Sequence, residues 1–489
     1  MRQIAFSIII LFSLTATLTY GQASGISKAS ITSFEREILE LQQKLKIPGL
    51  SLAIVKDQQL IFAKGYGWAD IEHKVPATEN TLYSIASVTK TFTSTILMRL
   101  VEESKVDLME PISHFDSTLK NDSLKVIHFL THTSEGKPGL LYRYNGDRFA
   151  TLDKVIEKAT GKTYADVIDH LILKKAGMQE SVAGQDILER DKKYKQLVKL
   201  LAKPYTLFGN SEKVLSPYPA KKITTSAGLI SNVRDLAKYD IAIDNGILLN
   251  KSSLLNAWTP FAFGNGTLSP YGKGWFVQNY NGLKLVWHFG QWPTYTALYL
   301  KIPEKNLTLI ILANSDGVSK PFSLGRGNIL TSAFALTFLR KFIKPASQSY
   351  DVKWNLDSSA FQNQLKNIEA KFGDGLQDEA NSYSMIQKYL TARKLRQRNY
   401  VKLESSVLAG LTGTYELLPS PLKFSLDNGK FWLQTSLLTE PVELFAENEN
   451  KFFIKILDAR FEFLKDEAGK VYECVLYLDG NKYRCRKLS

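Results

Sequence analysis

Cysteine is nearly absent from the chain: Cys474 and Cys485 are the two among 489 residues. That count excludes a disulfide-bonded scaffold and any zinc site built from several thiolates. No Gly-x-Ser-x-Gly occurs, which removes the strand-to-helix elbow of the α/β hydrolases. An apolar run long enough to cross a bilayer is also missing, since the stretch from Ile4 to Leu14 is too short and no later one approaches the length. There is no low-complexity tract or short-period repeat. Acidic residues are in deficit, 48 against 62 Lys and Arg, for a formal net charge of +14.

What is present begins with a leader. Met1-Arg2, the apolar run to Leu14, and small and polar residues through Gly25 have the three-part layout of a secretory signal peptide. Residues 1–24 are therefore expected to be removed, leaving a periplasmic or secreted protein with no transmembrane segment. An exported protein is not expected to meet nucleic acid, whereas a basic one suits anionic cell-envelope polymers or lipid surfaces. The densest basic run, Arg393, Lys394, Arg396, Arg398 and Lys402, reads first as the solvated face of an amphipathic helix, with Leu395 and Tyr400 interleaved.

The length and an apolar content of 44% predict two or three domains. Ile31 to Leu45 has helical periodicity and stops at Pro48-Gly49; Leu50 to Val55 and Leu60 to Tyr66 then read as two strands joined by the polar link Lys56 to Gln59. A mainly helical region follows, with segments at 124–131, 150–160, 165–173 and 233–243. Strand patterns return at 274–278, 283–288, 296–302 and 307–313, and 329–342 reads as a closing apolar helix. This order predicts an α/β (α+β) fold: an antiparallel sheet flanked by terminal helices, with a helical insertion. Residues 25–343 form that domain, 344–407 a linker (Lys344 to about Asp357) with helical segments, and 408–489 a small β-barrel or sandwich of short strands. If Asp479-Gly480 makes a two-residue hairpin turn, Cys474 and Cys485 stand directly opposite, at a spacing a disulfide accepts; two buried thiols fit the pattern equally.

One stretch carries chemistry. In Ser84-Ile85-Ala86-Ser87-Val88-Thr89-Lys90-Thr91-Phe92 an extended segment turns into a helix, and Val88, Phe92, Ile96, Leu97, Leu100 and Val101 recur often enough around it that the helix should be buried from at or near Ser87. Lys90 follows Ser87 by three residues, so one turn brings amine and hydroxyl to the same face. Ser-x-x-Lys also occurs at Ser117, Ser134 and Ser420, but those lie in polar, glycine- or proline-marked stretches that start no buried helix. Ser87 as a plain N-cap is the competing reading, although a first-turn lysine opposes the helix dipole.

Further along, Phe129-Leu130-Thr131-His132-Thr133-Ser134, Thr225-Ser226-Ala227-Gly228-Leu229-Ile230-Ser231, Gly272-Lys273-Gly274-Trp275, Trp287-His288-Phe289-Gly290 and Pro303-Glu304-Lys305-Asn306-Leu307 stand in order. With the Ser87 stretch, they make residues Ile31 to Phe342 resemble the serine β-lactamase and penicillin-binding-protein-like superfamily, most closely its class C β-lactamase and family VIII esterase branch. The resemblance implies that Ser87 is the acylated nucleophile, that Lys90 shares its proton, and that Tyr144 shuttles a proton to the leaving group, with Tyr142 the competitor for that role. It also implies an oxyanion hole from the backbone N–H groups of Ser87 and Gln291. Gly290 would let substrate lie against its strand, and His288, replacing the usual lysine, would anchor a substrate carboxylate only when protonated. The asparagine that holds the substrate's amide in the family is displaced to Asn145, with Gly146 at its usual place, which leaves esters more open than amides. The region after Leu408 resembles the lipocalin-like β-domains appended to some of these hydrolases.

No cofactor and no metal are implied. His128 and His132 have metal-pair spacing but no Glu follows His128, and Gly161-Lys162-Thr163 lacks the first glycine of a phosphate loop, Ile156 standing there. The expectation is an exported serine hydrolase acting on a small-molecule or peptide substrate: an ester, a D-amino-acid peptide or a β-lactam. The alternative is a non-catalytic peptidoglycan- or peptide-binding protein that retains the pocket.

Overall fold

The computed structural model describes residues 25–209, 212–373, 375–395, 397–418, 420–436, 438, 440–478 and 481–488. The expected leader, Arg396 of the basic run and the Asp479-Gly480 turn lie outside them. Helix α1, Lys28–Lys44, starts on Ser27, whose side chain accepts from the Ser30 N–H. Strands β1, Gly49–Lys56, and β2, Gln59–Asp70, form the expected hairpin. The link is two residues, Asp57 and Gln58, both with positive φ (49° and 56°), the geometry a tight hairpin turn demands.

The central sheet has seven strands. From one edge it runs β3 (Val75–Pro76), β2, β1, then Leu307–Ala313, Thr296–Ile302, Leu283–Gln291 and Phe276–Tyr280, all antiparallel. Alternation along each strand sorts side chains into two cores. β1 sends Leu50, Leu52 and Ile54 to one face, where they meet α1 and the helix Ala333–Phe342. Ala53 and Val55 go to the other, packing with helix α2, Thr89–Glu102, and the helix Val233–Asp244. Both faces are covered, so the central strands read as continuous apolar runs.

The stretch from Lys344 to Asp357, expected as a linker, is instead packed. Tyr350, Val352 and Trp354 alternate into the α1 core, where the helices Ser358–Phe372 and Gln377–Leu395 add Phe361, Leu365, Tyr383 and Ile386. Buried charge ties the same region down: Arg340 binds Glu37 and Glu379, and Lys341 binds Glu37 at 3.0 Å. The basic run is likewise not a uniformly solvated face. Arg393 is buried against Asp316 and Arg398 pairs with Glu447 at 2.8 Å, while Lys394 and Lys402 are exposed.

From Gly413 to Arg486 eight strands follow one another in sequential antiparallel order. Bonds from Glu416 N–H to the Arg486 carbonyl and from Leu488 N–H to the Thr414 carbonyl join the last strand to the first. This nearly closed barrel is filled by Tyr415, Phe424, Phe431, Phe452, Phe461 and Phe463, so its interior is a packed core. Cys474 faces Cys485 in the ladder, and both are buried free thiols.

Candidate active site

Ser87 sits in a 3-10 turn, Ala86–Val88, and α2 proper begins two residues later at Thr89, slightly past the expected start. Ala86 has φ +48°, a strained conformation for a residue with a Cβ. The turn is held by its surroundings: Ile85 N–H donates to the Leu229 carbonyl (3.0 Å), Thr89 Oγ1 donates to the Ala86 carbonyl (2.7 Å), and Leu229 N–H donates to Thr89 Oγ1 (3.2 Å). One turn on, Thr93 Oγ1 donates to the Thr225 carbonyl (2.7 Å) and Ser94 Oγ to that of Lys273. The result is a half-buried Ser87 at the head of a helix that is buried from Thr89 through Met98.

Lys90 is 0% exposed. Its Nζ lies 2.9 Å from Ser87 Oγ and 2.8 Å from the Ser226 carbonyl. Burial pushes the amine down from 10.5 to about 7, against a smaller upward pull from the Asp147 carboxylate. At neutral pH a large share of these amines is uncharged and able to take a proton from the hydroxyl.

Tyr144, rather than Tyr142, is the phenol at this pair. Its ring lies 5.2 Å from Lys90 Nζ. Burial pushes the phenol up and the neighbouring Ser87 hydroxyl pulls it part of the way back. Among the described residues its hydroxyl makes no formed hydrogen bond. Tyr142 instead donates to the Gly325 carbonyl at 3.0 Å, across the cleft wall. His132 packs against Tyr144: the rings lie tilted by 41° with centroids 4.4 Å apart, and its Nδ1 accepts the Asn145 N–H at 3.2 Å. His128 Nδ1 accepts the Lys125 N–H at 3.0 Å, so each of the two histidines turns its Nδ1 to a backbone donor. Among the described residues no group of three or more metal-ligating side chains is present.

His288 departs from expectation. It is 0% exposed, its Nδ1–H donating to the Phe289 carbonyl (2.7 Å) and its Nε2 accepting from Tyr271 Oη (2.9 Å). Burial, with the charge of Lys90, pushes it well below the usual imidazole range. A neutral ring with both nitrogens engaged cannot clamp a carboxylate. Asn145 is also elsewhere: its Oδ1 caps the helix Gly146–Ala150 by accepting the Arg148 N–H (3.0 Å), and its Nδ2 donates to Glu135 (2.7 Å). At Gly146 an added Cβ would stand 3.9 Å from both Lys90 Nζ and Ser226 Oγ, so glycine leaves room beside the amine.

Gly290 has a steric role that differs from the expected one. A Cβ there would lie 2.2 Å from the Ile85 carbonyl oxygen, so only glycine lets this strand press against the Ser87 turn. That approach puts the Gln291 backbone beside Ser87. Ser87, Tyr144, Phe289, Gln291, Leu324 and Arg326 line one cleft of about 470 Å³. Sequence reasoning missed Tyr271, the Ser226 carbonyl and the Ser323–Arg326 wall; no local pattern marks the first two, and the wall reaches the cleft only through the fold.

Three comparisons place the chain. The beta-lactamase family model matches residues 34–333, more than half of it. Penicillin-binding protein 4* of Bacillus subtilis (strain 168) is 22% identical over 484 residues, covering 90% of this chain and 95% of the relative. Protein flp of Staphylococcus aureus (strain MW2) is 26% identical over 318 residues, covering 57% of this chain, which spans 62% of flp. Among solved structures, the octameric penicillin-binding protein homologue from Pyrococcus abyssi superposes with a TM-score of 0.54 at 24% identity, over 94% of this chain and 100% of the other. The penicillin binding protein from Bacillus halodurans does so at 0.50 and 21% identity, over 57% and 95%. The fold is shared with both structures, and the family match spans every motif that builds the cleft: the chain belongs to the beta-lactamase family, within the serine β-lactamase and penicillin-binding-protein-like superfamily of hydrolases.

Proposed function

We propose that the protein is an exported serine hydrolase working through an acyl-enzyme on Ser87. Ser87 Oγ attacks the acyl carbon as its proton passes to Lys90 Nζ, the backbone N–H groups of Ser87 and Gln291 hold the oxyanion, and Tyr144 passes the proton to the leaving group. The bond to the leaving oxygen or nitrogen breaks as the Ser87 ester forms. Water then attacks that ester, releasing the acid and restoring the hydroxyl. The observation that carries this reading is the fully buried Lys90 amine 2.9 Å from Ser87 Oγ. The substrate class is an ester, a D-amino-acid peptide or a β-lactam. Esters are favoured by the engagement of Asn145 as a helix cap and by the space that Gly146 leaves. The leader-like first 24 residues support export to the periplasm or beyond, where the basic surface suits anionic envelope polymers.

A fluorophosphonate probe tests the chemistry: a mass adduct on the Ser87 peptide is expected, and none in Ser87→Ala. A folded wild-type protein that stays unlabelled would overturn the acyl-enzyme and leave the peptide-binding reading. Rates on p-nitrophenyl esters, nitrocefin and D-alanyl peptides then rank the substrates.

A further inference from the structure

Two neighbouring loops hold large apolar side chains out in solvent. Leu140 and Leu141, just before Tyr142, are 53% and 55% exposed, and Leu268, on the hairpin 261–269, is 65% exposed. The loops touch: a Cβ on Gly139 would lie 3.8 Å from Phe261 Cζ, and one on Gly264 would lie 3.9 Å from Leu140 Cδ2. Half-buried Phe261 and Phe263, edge to face with centroids 5.8 Å apart, join the leucines into one surface. Tyr142, the next residue after Leu141, donates to the Gly325 carbonyl in the wall of the Ser87 cleft (3.0 Å), so this surface borders that cleft.

A continuous exposed apolar face marks a place where something binds, and two features indicate what covers it. The first is the polar economy of the hairpin. No charged residue lies between Lys251 and Lys273. The Phe263 N–H donates to the Thr267 carbonyl (2.9 Å), the Gly266 N–H to that of Phe263 (2.9 Å) and the Ser269 N–H to that of Phe261 (2.8 Å). Asn265 Oδ1 accepts both the N–H and the hydroxyl of Thr267, at 3.0 and 2.7 Å. A tip bonded internally in this way leaves water with few unmet hydrogen bonds, which is the condition a lipid layer sets. The second feature is the charge on either side. Glu135, the one acid between Lys125 and Asp147, is taken by Arg143 (3.0 Å) and Asn145 (2.7 Å). That leaves exposed Lys137 in the first loop, with exposed Lys251 and half-buried Lys273 flanking the second in sequence, as an excess of positive charge.

We propose that this face docks the protein on a lipid surface bearing anionic headgroups. Leu140, Leu141 and Leu268 enter the boundary between headgroups and acyl chains, and the lysines lie at headgroup level. The Ser87 cleft is thereby held beside the lipid. Docking of this kind does not depend on the hydrolase chemistry.

Sedimentation with sucrose-loaded vesicles tests the docking face, using protein that begins at Gly25 so that the leader-like apolar run cannot itself bind lipid. Wild type is expected to partition onto vesicles of equal parts phosphatidylglycerol and phosphatidylcholine. Leu140→Ser/Leu141→Ser/Leu268→Ser should partition at least about tenfold more weakly, since three exposed leucines no longer leave water. Lys137→Gln/Lys251→Gln should bind several-fold more weakly on the same vesicles. All five side chains are surface groups, and equal urea midpoints check that the variants fold as wild type does. Wild type that stays in the supernatant, or binding undiminished in either variant, overturns the assignment. A dimer in sedimentation velocity that the three serines dissociate, without vesicle binding, also overturns it, in favour of a second copy of the chain on this face. Fluorophosphonate labelling of Ser87 is read separately and is expected to be the same in wild type and both variants.

Discussion

Replacing Lys90 with Met should make the protein more stable at acid and neutral pH while removing the proposed chemistry, by an amount that falls as pH rises. Holding the amine at about 7 instead of 10.5 amounts to roughly 5 kcal/mol in the free energy of charging it inside the fold. The unfolded chain binds a proton there up to about pH 10.4, whereas the folded protein releases it near 7. Between these values the unfolded state holds more protons, so wild-type stability rises with pH across that window. Methionine does not titrate. Its advantage over lysine is therefore largest below pH 7, about 5 kcal/mol at pH 6, and falls to about 1 kcal/mol by pH 9.5. Loss of the bonds to Ser87 Oγ and the Ser226 carbonyl subtracts a constant of about 1 to 3 kcal/mol that leaves the slope alone. Urea unfolding of both proteins at pH 6, 7.5 and 9.5 reads the difference directly, and taking the difference cancels every other titrating group. A gap that is flat with pH, or that widens on the alkaline side, refutes the buried, discharged amine. The same titration has a kinetic counterpart: the wild-type rate of Ser87 acylation should rise as pH passes through about 7 and Lys90 gives up its proton.

Gly290→Ala should leave a folded protein that is at least about a hundredfold slower in kcat, because the added Cβ would meet the Ile85 carbonyl at 2.2 Å and displace the strand proposed to bear one oxyanion donor, a loss of about 3 kcal/mol. Steady-state kinetics on an aryl ester checks it, and a rate within a few-fold of wild type would mean that the strand tolerates the shift. Arg393→Met should destabilise the protein by about 3 to 5 kcal/mol, since it strands the buried Asp316 carboxylate that Arg393 and Tyr389 now hold. Adding Asp316→Asn should recover part of that loss in the same urea assay, and full additivity of the two changes would deny the pairing.

Much of the architecture was legible because the central strands carry unbroken apolar runs; Thr296–Ile302 and Leu307–Ala313 begin and end where the pattern does. The opposition of Cys474 and Cys485 followed from counting outward from a turn. The errors have identifiable physical causes. Serines and Pro345 made residues 344–357 read as a linker, yet Tyr350, Val352 and Trp354 alternate with period two and are all buried, a strand-like signal masked by its polar neighbours. Arg393 looked solvated because its partner, Asp316, lies 77 residues away and no local rule points to it. Asn145 was legible as an N-cap, with Asp147 in the first turn after it, but a family motif displaced by one position drew attention to the substrate instead.

The motif words also turn out to do something other than catalysis. Of the residues in Thr225-Ser226-Ala227-Gly228-Leu229, only the Ser226 carbonyl touches Lys90. The Thr225 carbonyl takes Thr93 Oγ1, the Leu229 N–H takes Thr89 Oγ1, and the Thr225 N–H is held by Asp153 at 2.7 Å. Gly274, at φ +82°, lies so close to α2 that a Cβ would stand 2.6 Å from that of Ser94, whose hydroxyl in turn reaches the Lys273 carbonyl. Three hydroxyls on the first two turns of α2 are thus committed to backbone groups on two different segments. An amine desolvated to a pKa near 7 and a strained Ala86 both favour rearrangement, and a helix anchored only by apolar contacts could rotate to relieve them. Directional bonds from Thr89, Thr93 and Ser94 fix its rotation as well as its depth, which is why small hydroxylated and glycine residues, rather than further acids and bases, fill the segments around Ser87.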